Sequence, residues 1–435
     1  ENKIMVNGLP SYTSYPTASQ FSEKIGEKEY KKWLYKINKD NSISLYFHIP
    51  FCTKLCWFCG CTTKIINKNT PLIKYLDLLK KEIKNVSIFV KDVPVKHIHF
   101  GGGSPSLVPA SNFISFMKFI NNNFNVSSNA EIAIEIDPRT VDIHKINAYK
   151  KMNINRVSIG VQDFNTEVQK AINRIQPFKQ VSKLVEILHK KNIKDINIDL
   201  IYGLPFQTKK SINKTIKQTI SLSPGTISYF GYAHVPWMKK NQKMIKDKQL
   251  PSKDLRILMF SSANKILEKA GYIPIGLDHF SHPKNKLFKA FNNKTLKRNF
   301  QGYSTDKSDT ILGFGLSSIS SFKEGYIQNV IDNSKYNEMI KEKKYPIARG
   351  FQLTVEDIER RNIIMSLMCF FEAKVNKFKF KEEINKLKPY IISNDLKYDG
   401  TILYLNPKSR NLLRFITSVF DTYLSSKSGR FSQPM

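Results

Sequence analysis

Six short runs rich in apolar, β-branched and aromatic residues, at 45–49, 95–100, 131–136, 156–161, 195–201 and 227–232, alternate with stretches patterned as helices. The intervening segments PLIKYLDLLKKEI, FISFMKFINNNF, KINAYKKM, VSKLVEILHKKN and KSINKTIKQTI carry apolar residues at helical spacing. Strands separated by helices pair in parallel through right-handed crossovers, whereas antiparallel partners need only a short turn. Six such units predict an α/β fold, a partial (β/α)6 barrel left open where eight units would close. At 435 residues the chain has room for this and for a smaller unit.

In barrels of this kind chemistry gathers at the carboxyl ends of the strands. Those ends read His48 and a cysteine loop, Gly101–Gly102–Gly103–Ser104, Glu135 and Asp137, Gln162 and Asp163, Asp199, and Tyr232 to His234. A single acid in such a place is as readily a helix N-cap. Functional groups at nearly every strand end mark that face as the site. The triple glycine lets backbone approach a ligand with no Cβ in the way, and Pro105 fixes the turn after it. Gly160, Gly203 and Pro205 punctuate further turns.

Four of the five cysteines, Cys52, Cys56, Cys59 and Cys61, fall within Tyr46-Phe-His-Ile-Pro-Phe-Cys-Thr-Lys-Leu-Cys-Trp-Phe-Cys-Gly-Cys61. Pro50 has no N–H and stops the strand before them. Cys52, Cys56 and Cys59 are spaced C-x3-C-x2-C, close enough for three thiolates to converge on a compact iron–sulfur cluster with one iron left open. Competing readings are a redox pair at Cys56 and Cys59, a structural zinc site lacking its second ligand pair, and inert buried thiols.

The cysteine spacing after a strand resembles the radical S-adenosylmethionine signature, and HIPFCTKLCWFCGC is similar to the oxygen-independent coproporphyrinogen III oxidases (dehydrogenases) of haem synthesis. The stretches SYTSYPT from Ser11, GGGSPS from Gly101, EIDPR from Glu135, GVQDFN from Gly160, NIDLIYGLP from Asn197, GLDHF from Gly276, RNFQGY from Arg298 and FDTYL from Phe420 resemble the same family in order. The resemblance implies a TIM-like radical SAM barrel. It also implies a 4Fe-4S cluster on Cys52, Cys56 and Cys59, and two molecules of S-adenosylmethionine. By the same resemblance Tyr46, Gly102, Glu135, Ala233 and Ile319 hold the cluster-bound molecule. Phe58, Gly103, Ser104, Gln162, Arg174 and Asp199 contact the second. Cys61 matches an extra cysteine that is needed without being a fourth ligand, so Cys61 and Tyr46 stand as catalytic residues. The implied reaction uses a 5′-deoxyadenosyl radical to convert two propionates of coproporphyrinogen III to vinyls, giving protoporphyrinogen IX. It draws on a reductant such as flavodoxin or ferredoxin and on an unknown electron acceptor. The alternative is a radical-SAM-type haem chaperone without decarboxylase activity; such proteins usually lack the Cys61 equivalent and the SYTSYPT segment. Two departures stand out: Ser11 replaces the family's common Arg, and Trp57 its common Tyr.

Lys and Arg number 69 against 36 Asp and Glu, a formal charge of +33. Such a balance raises the prospect of nucleic acid. The lysines are scattered among Asn and Ile rather than gathered in a block, so no nucleic-acid partner is expected; a basic cleft also suits a tetracarboxylate. No apolar run reaches the roughly 20 residues a bilayer demands, and no leader pattern is seen. The expectation is a cytoplasmic monomer with no membrane partner, in a reducing compartment that suits clustered thiolates.

The organisation expected is an N-terminal segment over 1–40 covering the site, a barrel with mouth-covering loops over 41–325, and a small, mainly helical C-terminal domain over 326–435. A helix is expected over 27–37. Tyr12 and Tyr15 either pack on the main domain or help cover the site. GYIPIGLDHF reads as one further strand, and 285–322 as loops. His234 and His279 read as hydrogen-bonded packing residues, with ligand or proton-donor roles as the alternative. Thr354-Val-Glu-Asp357 is a capping box opening an apolar helix through Met368. Arg360 and Arg361 read as solvated, although both are within reach of a substrate carboxylate, and Cys369 as an inert buried thiol. A hairpin over 396–405 and a helix over 409–423 complete the chain.

Overall fold

The computed structural model describes residues 9–424. All six expected strands form: β1 (Ile43–Ile49), β2 (Pro94–Gly102), β3 (Asn125–Ile136), β4 (Arg156–Gln162), β5 (Asp195–Tyr202) and β6 (Thr226–Gly231). They pair in parallel in sequence order. The helices Thr70–Ser87, Ala110–Asn123, Ile143–Lys151, Phe178–Lys190 and Lys209–Ser221 make the crossovers. Their apolar stripes and the inward strand residues form one continuous core. At its centre Phe47 of β1 stacks between Phe100 and Phe314, with ring centroids 5.2 and 5.1 Å away.

The sheet extends beyond the six units on both edges. GYIPIGLDHF forms two short antiparallel strands, β7 (Ile273–Ile275) and β8 (His279–Ser281), rather than one; β8 pairs antiparallel with β6. Gly276, at φ +51°, turns the chain between them, and a Cβ there would stand 2.0 Å from the Tyr303 hydroxyl. Residues 285–322 are not loops alone. They hold the helix Lys286–Asn292, a hairpin of Lys297–Asn299 with Gly302–Ser304, and strands β9 (Thr310–Phe314) and β10 (Ile319–Ser321). β9 lies parallel to β1, matching Ile43 to Thr310 through Phe47 to Phe314. These strands are short and interrupted by Gly and Ser, so no alternation marks them; pairing of β9 with β1, and of β10 with β9, makes them strands. β11 (Gly325–Asn329) and β12 (Ile347–Gln352) continue the same sheet antiparallel to twelve strands, carrying it past residue 325.

A second core begins with the helix Val355–Phe370, whose Thr354 and Asp357 make the expected capping box. It includes the helix Lys381–Ile392 and a three-stranded sheet of Glu372–Lys374, Ile402–Leu405 and Leu396–Tyr398, the last two forming the expected hairpin. The helix expected over 409–423 is a 3-10 turn followed by the short helix Leu413–Ser418. Arg360 is not solvated: it is buried and pairs with Glu356 at 2.8 Å and Glu383 at 2.9 Å. Cys369 is buried, and burial pushes its thiol up to about 12.

At the other end of the chain, Glu27–Tyr35 is the expected helix, shorter by two residues. Tyr12 and Tyr15 pack into the second core, not the main one. The Tyr12 hydroxyl donates to Asp421 at 2.9 Å, that of Tyr15 lies 3.1 Å from Thr422 Oγ1, and Arg298 donates to the carbonyls of Ser11 and Tyr12.

Candidate active site

Strand β1 ends in His48-Ile-Pro50, and the cysteine loop follows as a thin shell. Cys56 is buried, Cys52 and Cys59 are half-buried, and Cys61 is exposed. The loop is braced on its carbonyls. Asn241 Nδ2 donates to those of Cys56, Trp57 and Cys59 at 3.3, 3.1 and 3.0 Å, Gln242 to that of Phe58 at 2.9 Å, and Asn173 to that of Leu55 at 2.9 Å. Nothing in the sequence singled out Asn241, which lies in the lysine-rich stretch KKNQK.

Two guanidinium groups approach the buried thiol. Arg139 Nη2 stands 3.5 Å and Arg174 Nη1 3.6 Å from Cys56 Sγ. Both also hold Asp137, at 2.6 and 3.2 Å. Burial works against its charge, but Arg174 and Arg139 keep Asp137 below the usual carboxylate range. Burial, reinforced by the facing Cys59 and Cys56, pushes the free Cys52 thiol up to about 12. Donation from Cys61 draws Cys59 below the ordinary thiol range and raises Cys61 in return.

This donor set fits an anionic iron–sulfur cluster. Three thiols face one another, and fixed cations stand ready for the charge. A cluster binds each thiolate through a different iron, so the three thiols need not meet at one point.

Beside the loop, Tyr46, Cys61, Glu135 and Ile319 line one cavity of about 400 Å³. Tyr46 is fixed by His48, whose Nδ1 lies 3.0 Å from the phenol oxygen and whose Nε2 lies 3.0 Å from the Thr62 carbonyl. Glu135 accepts from the Gly102 N–H at 3.2 Å and lies 3.1 Å from His99 Nε2. Against the cost of burial, the contact with His99 and the Gly102 N–H hold its carboxyl below the usual range. The glycines are required here. Gly102 has φ +117°, and a Cβ would stand 2.7 Å from the His48 ring; at Gly103 it would stand 2.8 Å from the Phe51 backbone.

The remaining predicted residues divide. Gln162 and Arg174 meet beside Gly160, whose carbonyl accepts from Arg174 Nη2 at 2.5 Å. Asp199 is held by Ser158 and Asn197 at 2.8 and 2.7 Å, its carboxyl raised by burial, and lines with Glu135 a smaller space of about 210 Å³ inside the barrel. Ser104 is buried and bonded to Ser106 at 3.0 Å. Ala233, exposed just past β6, and Phe58, packed near Ile172 and Tyr232, lie outside the cavity at Cys61. His279 lies 2.8 Å from Asp278 and 3.2 Å from Ser228 and lines the same space of about 210 Å³, while His234 lies 2.9 Å from the Tyr232 hydroxyl and 3.1 Å from Asp247.

Comparison with known proteins agrees with this fold. The Radical SAM superfamily profile matches residues 46–219. An oxygen-independent coproporphyrinogen III oxidase of Bradyrhizobium diazoefficiens is 40% identical over 96% of this chain and 95% of its own length. That of Escherichia coli K12 is 36% identical over 96% of this chain and 94% of its own. The solved Escherichia coli coproporphyrinogen III oxidase, described as a radical SAM enzyme, superposes with a TM-score of 0.91, covering 95% of this chain and 97% of that one. With near end-to-end similarity at these identities, and with a three-cysteine loop placed at the mouth of a parallel barrel, the chain belongs to the oxygen-independent coproporphyrinogen III oxidases of the radical SAM superfamily.

Proposed function

We propose that this protein carries out the anaerobic oxidative decarboxylation of two propionates of coproporphyrinogen III to vinyls, giving protoporphyrinogen IX in haem synthesis, with a 4Fe-4S cluster and S-adenosylmethionine. The observation that carries the reading is the abutment of the three-cysteine loop on the cavity lined by Tyr46, Cys61, Glu135 and Ile319. When bound, the cluster and S-adenosylmethionine supply the one-electron chemistry that removes hydrogen from a propionate β-carbon. The protein's own residues hold and shield. Cys52, Cys56 and Cys59 bind the irons, while Arg139 and Arg174 balance the charge at Cys56. Gly102 and Gly103 admit backbone close to the ligand, and the ionised Glu135 offers an acceptor to its ammonium group. Tyr46 and Ile319 wall the same space.

A second S-adenosylmethionine is assigned to Phe58, Gly103, Ser104, Gln162, Arg174 and Asp199. Supporting it, Gln162 and Arg174 adjoin Gly160, while Arg174 reaches the cysteine loop. Thr13 lines a cavity next to the site, which favours a covering role for the N-terminal segment. No described helix is long and apolar enough to cross a membrane. The remaining assignments are a cytoplasmic monomer, reduction by a flavodoxin- or ferredoxin-type donor, and an electron acceptor still to be identified.

The test is anaerobic cluster reconstitution followed by a product assay with dithionite, S-adenosylmethionine and coproporphyrinogen III. Formation of protoporphyrinogen IX is expected. Haem binding without vinyl formation overturns the reading.

A further inference from the structure

A second cavity, of about 660 Å³, lies between the helix Val355–Phe370 and the segments carrying β9, β10 and the 297–304 hairpin. That volume falls within the range of small-molecule sites, roughly 300–1,000 Å³. It shares Asn299, Phe300 and Ile311 with the cavity at Cys61, so the two spaces adjoin. Phe300, Phe322, Ile358 and Met365 give it apolar walls.

Two consecutive arginines on the helix Val355–Phe370 meet different fates. Arg360 is consumed by Glu356 and Glu383. Arg361, about 100° further round the helix, lines the cavity and meets the Tyr326 hydroxyl. Among the described residues no carboxylate pairs with it within 4.0 Å. The acids in the wall are already engaged: Asp309 by Lys297 and Lys323 at 2.9 and 3.6 Å, Asp306 by Ser44 and by the Ser308 N–H. A half-buried guanidinium facing apolar walls with no anion of its own is a receptor for one, and its planar fork matches a carboxylate.

We propose that this cavity receives the body of the tetrapyrrole and that Arg361 grips one of its carboxylates away from the reacting propionate. The proposal rests on the function given above. A macrocycle seated here spans the junction at Asn299, Phe300 and Ile311, presenting one propionate to the Cys61 cavity while another is fixed on the helix Val355–Phe370. Arg361 thereby sets register, so that the ring enters in one orientation.

The test titrates coproporphyrin III, a non-reacting tetracarboxylate, into anaerobic holoenzyme by quenching of protein fluorescence, and measures KM for coproporphyrinogen III. Arg361→Gln is expected to weaken coproporphyrin III binding and raise KM by about 10- to 100-fold. Iron content, Tm and substrate-free cleavage of S-adenosylmethionine stay at wild-type values, and Arg361→Lys regains part of the loss. Unaltered affinity in Arg361→Gln overturns the proposal. Wild-type turnover with an unchanged KM in Arg361→Gln removes the anchor alone. Tight coproporphyrin III binding that Arg361→Gln weakens, with no vinyl product from wild type, removes the proposed reaction and leaves the anchor.

Discussion

Glu82 sits in the helix Thr70–Ser87 with its carboxylate in the core, 3% exposed. Asn329 donates to Oε1 at 2.7 Å; Tyr336 and the Gly315 N–H donate to Oε2 at 2.6 and 2.9 Å. Next to it, Tyr75 donates to the His48 carbonyl and accepts from the Leu316 N–H, both at 2.9 Å. This network ties the end of β1, and so the root of the cysteine loop, to the 315–319 turn that carries Ile319. Burial raises the carboxyl from 4.5 to about 7 despite its three donors. A carboxyl raised on folding stabilises the fold below its unfolded pKa, near 4.5, and that contribution is lost as pH rises through about 7. The full span is worth about 3 kcal/mol. Glu82→Gln cannot titrate, so its stability relative to wild type should improve by about 2–3 kcal/mol between pH 5 and 8. Anaerobic urea denaturation of both proteins, followed by tryptophan fluorescence across that range, measures the difference directly. A constant gap between them refutes a neutral, buried Glu82 at low pH.

Other perturbations bear on the site. Asn241→Ala removes the one amide group that donates to three carbonyls of the cysteine loop and should cost about 1–3 kcal/mol of local stability; iron content after gel filtration should fall while circular dichroism stays unchanged. Cys56→Ser should abolish the cluster's visible absorbance and cleavage of S-adenosylmethionine together, as both depend on one thiolate. Gly102→Ala drives a Cβ against the His48 ring at a positive φ and should cost about 1–3 kcal/mol. Its signature is weaker S-adenosylmethionine binding by equilibrium dialysis, with the cluster retained.

Much of the barrel was legible in the sequence because each unit carries its own period: alternation on the strands, helical spacing between them, glycine or polar residues at the ends. The cysteine loop was legible for a local reason too, since three ligands within eight residues need no distant partner. β9 and β10 were not legible, because their few residues become strands only where β1 offers an edge to β9 and β9 in turn offers one to β10. Arg360 and Arg361 looked alike as a surface pair; packing against Glu383 buried one, and the cavity wall took the other.

The chain's own pattern therefore determined the parallel α/β architecture, the face on which chemistry gathers and the thiolates that meet it, since all three are written in short-range spacing. Only the tertiary structure decided what surrounds them. Asn241 bracing a loop some 180 residues away, Arg139 and Arg174 converging on Cys56 and Tyr12 docking on Asp421 are contacts between segments distant in sequence. No local period encodes such meetings; they follow from how the folded layers close on one another.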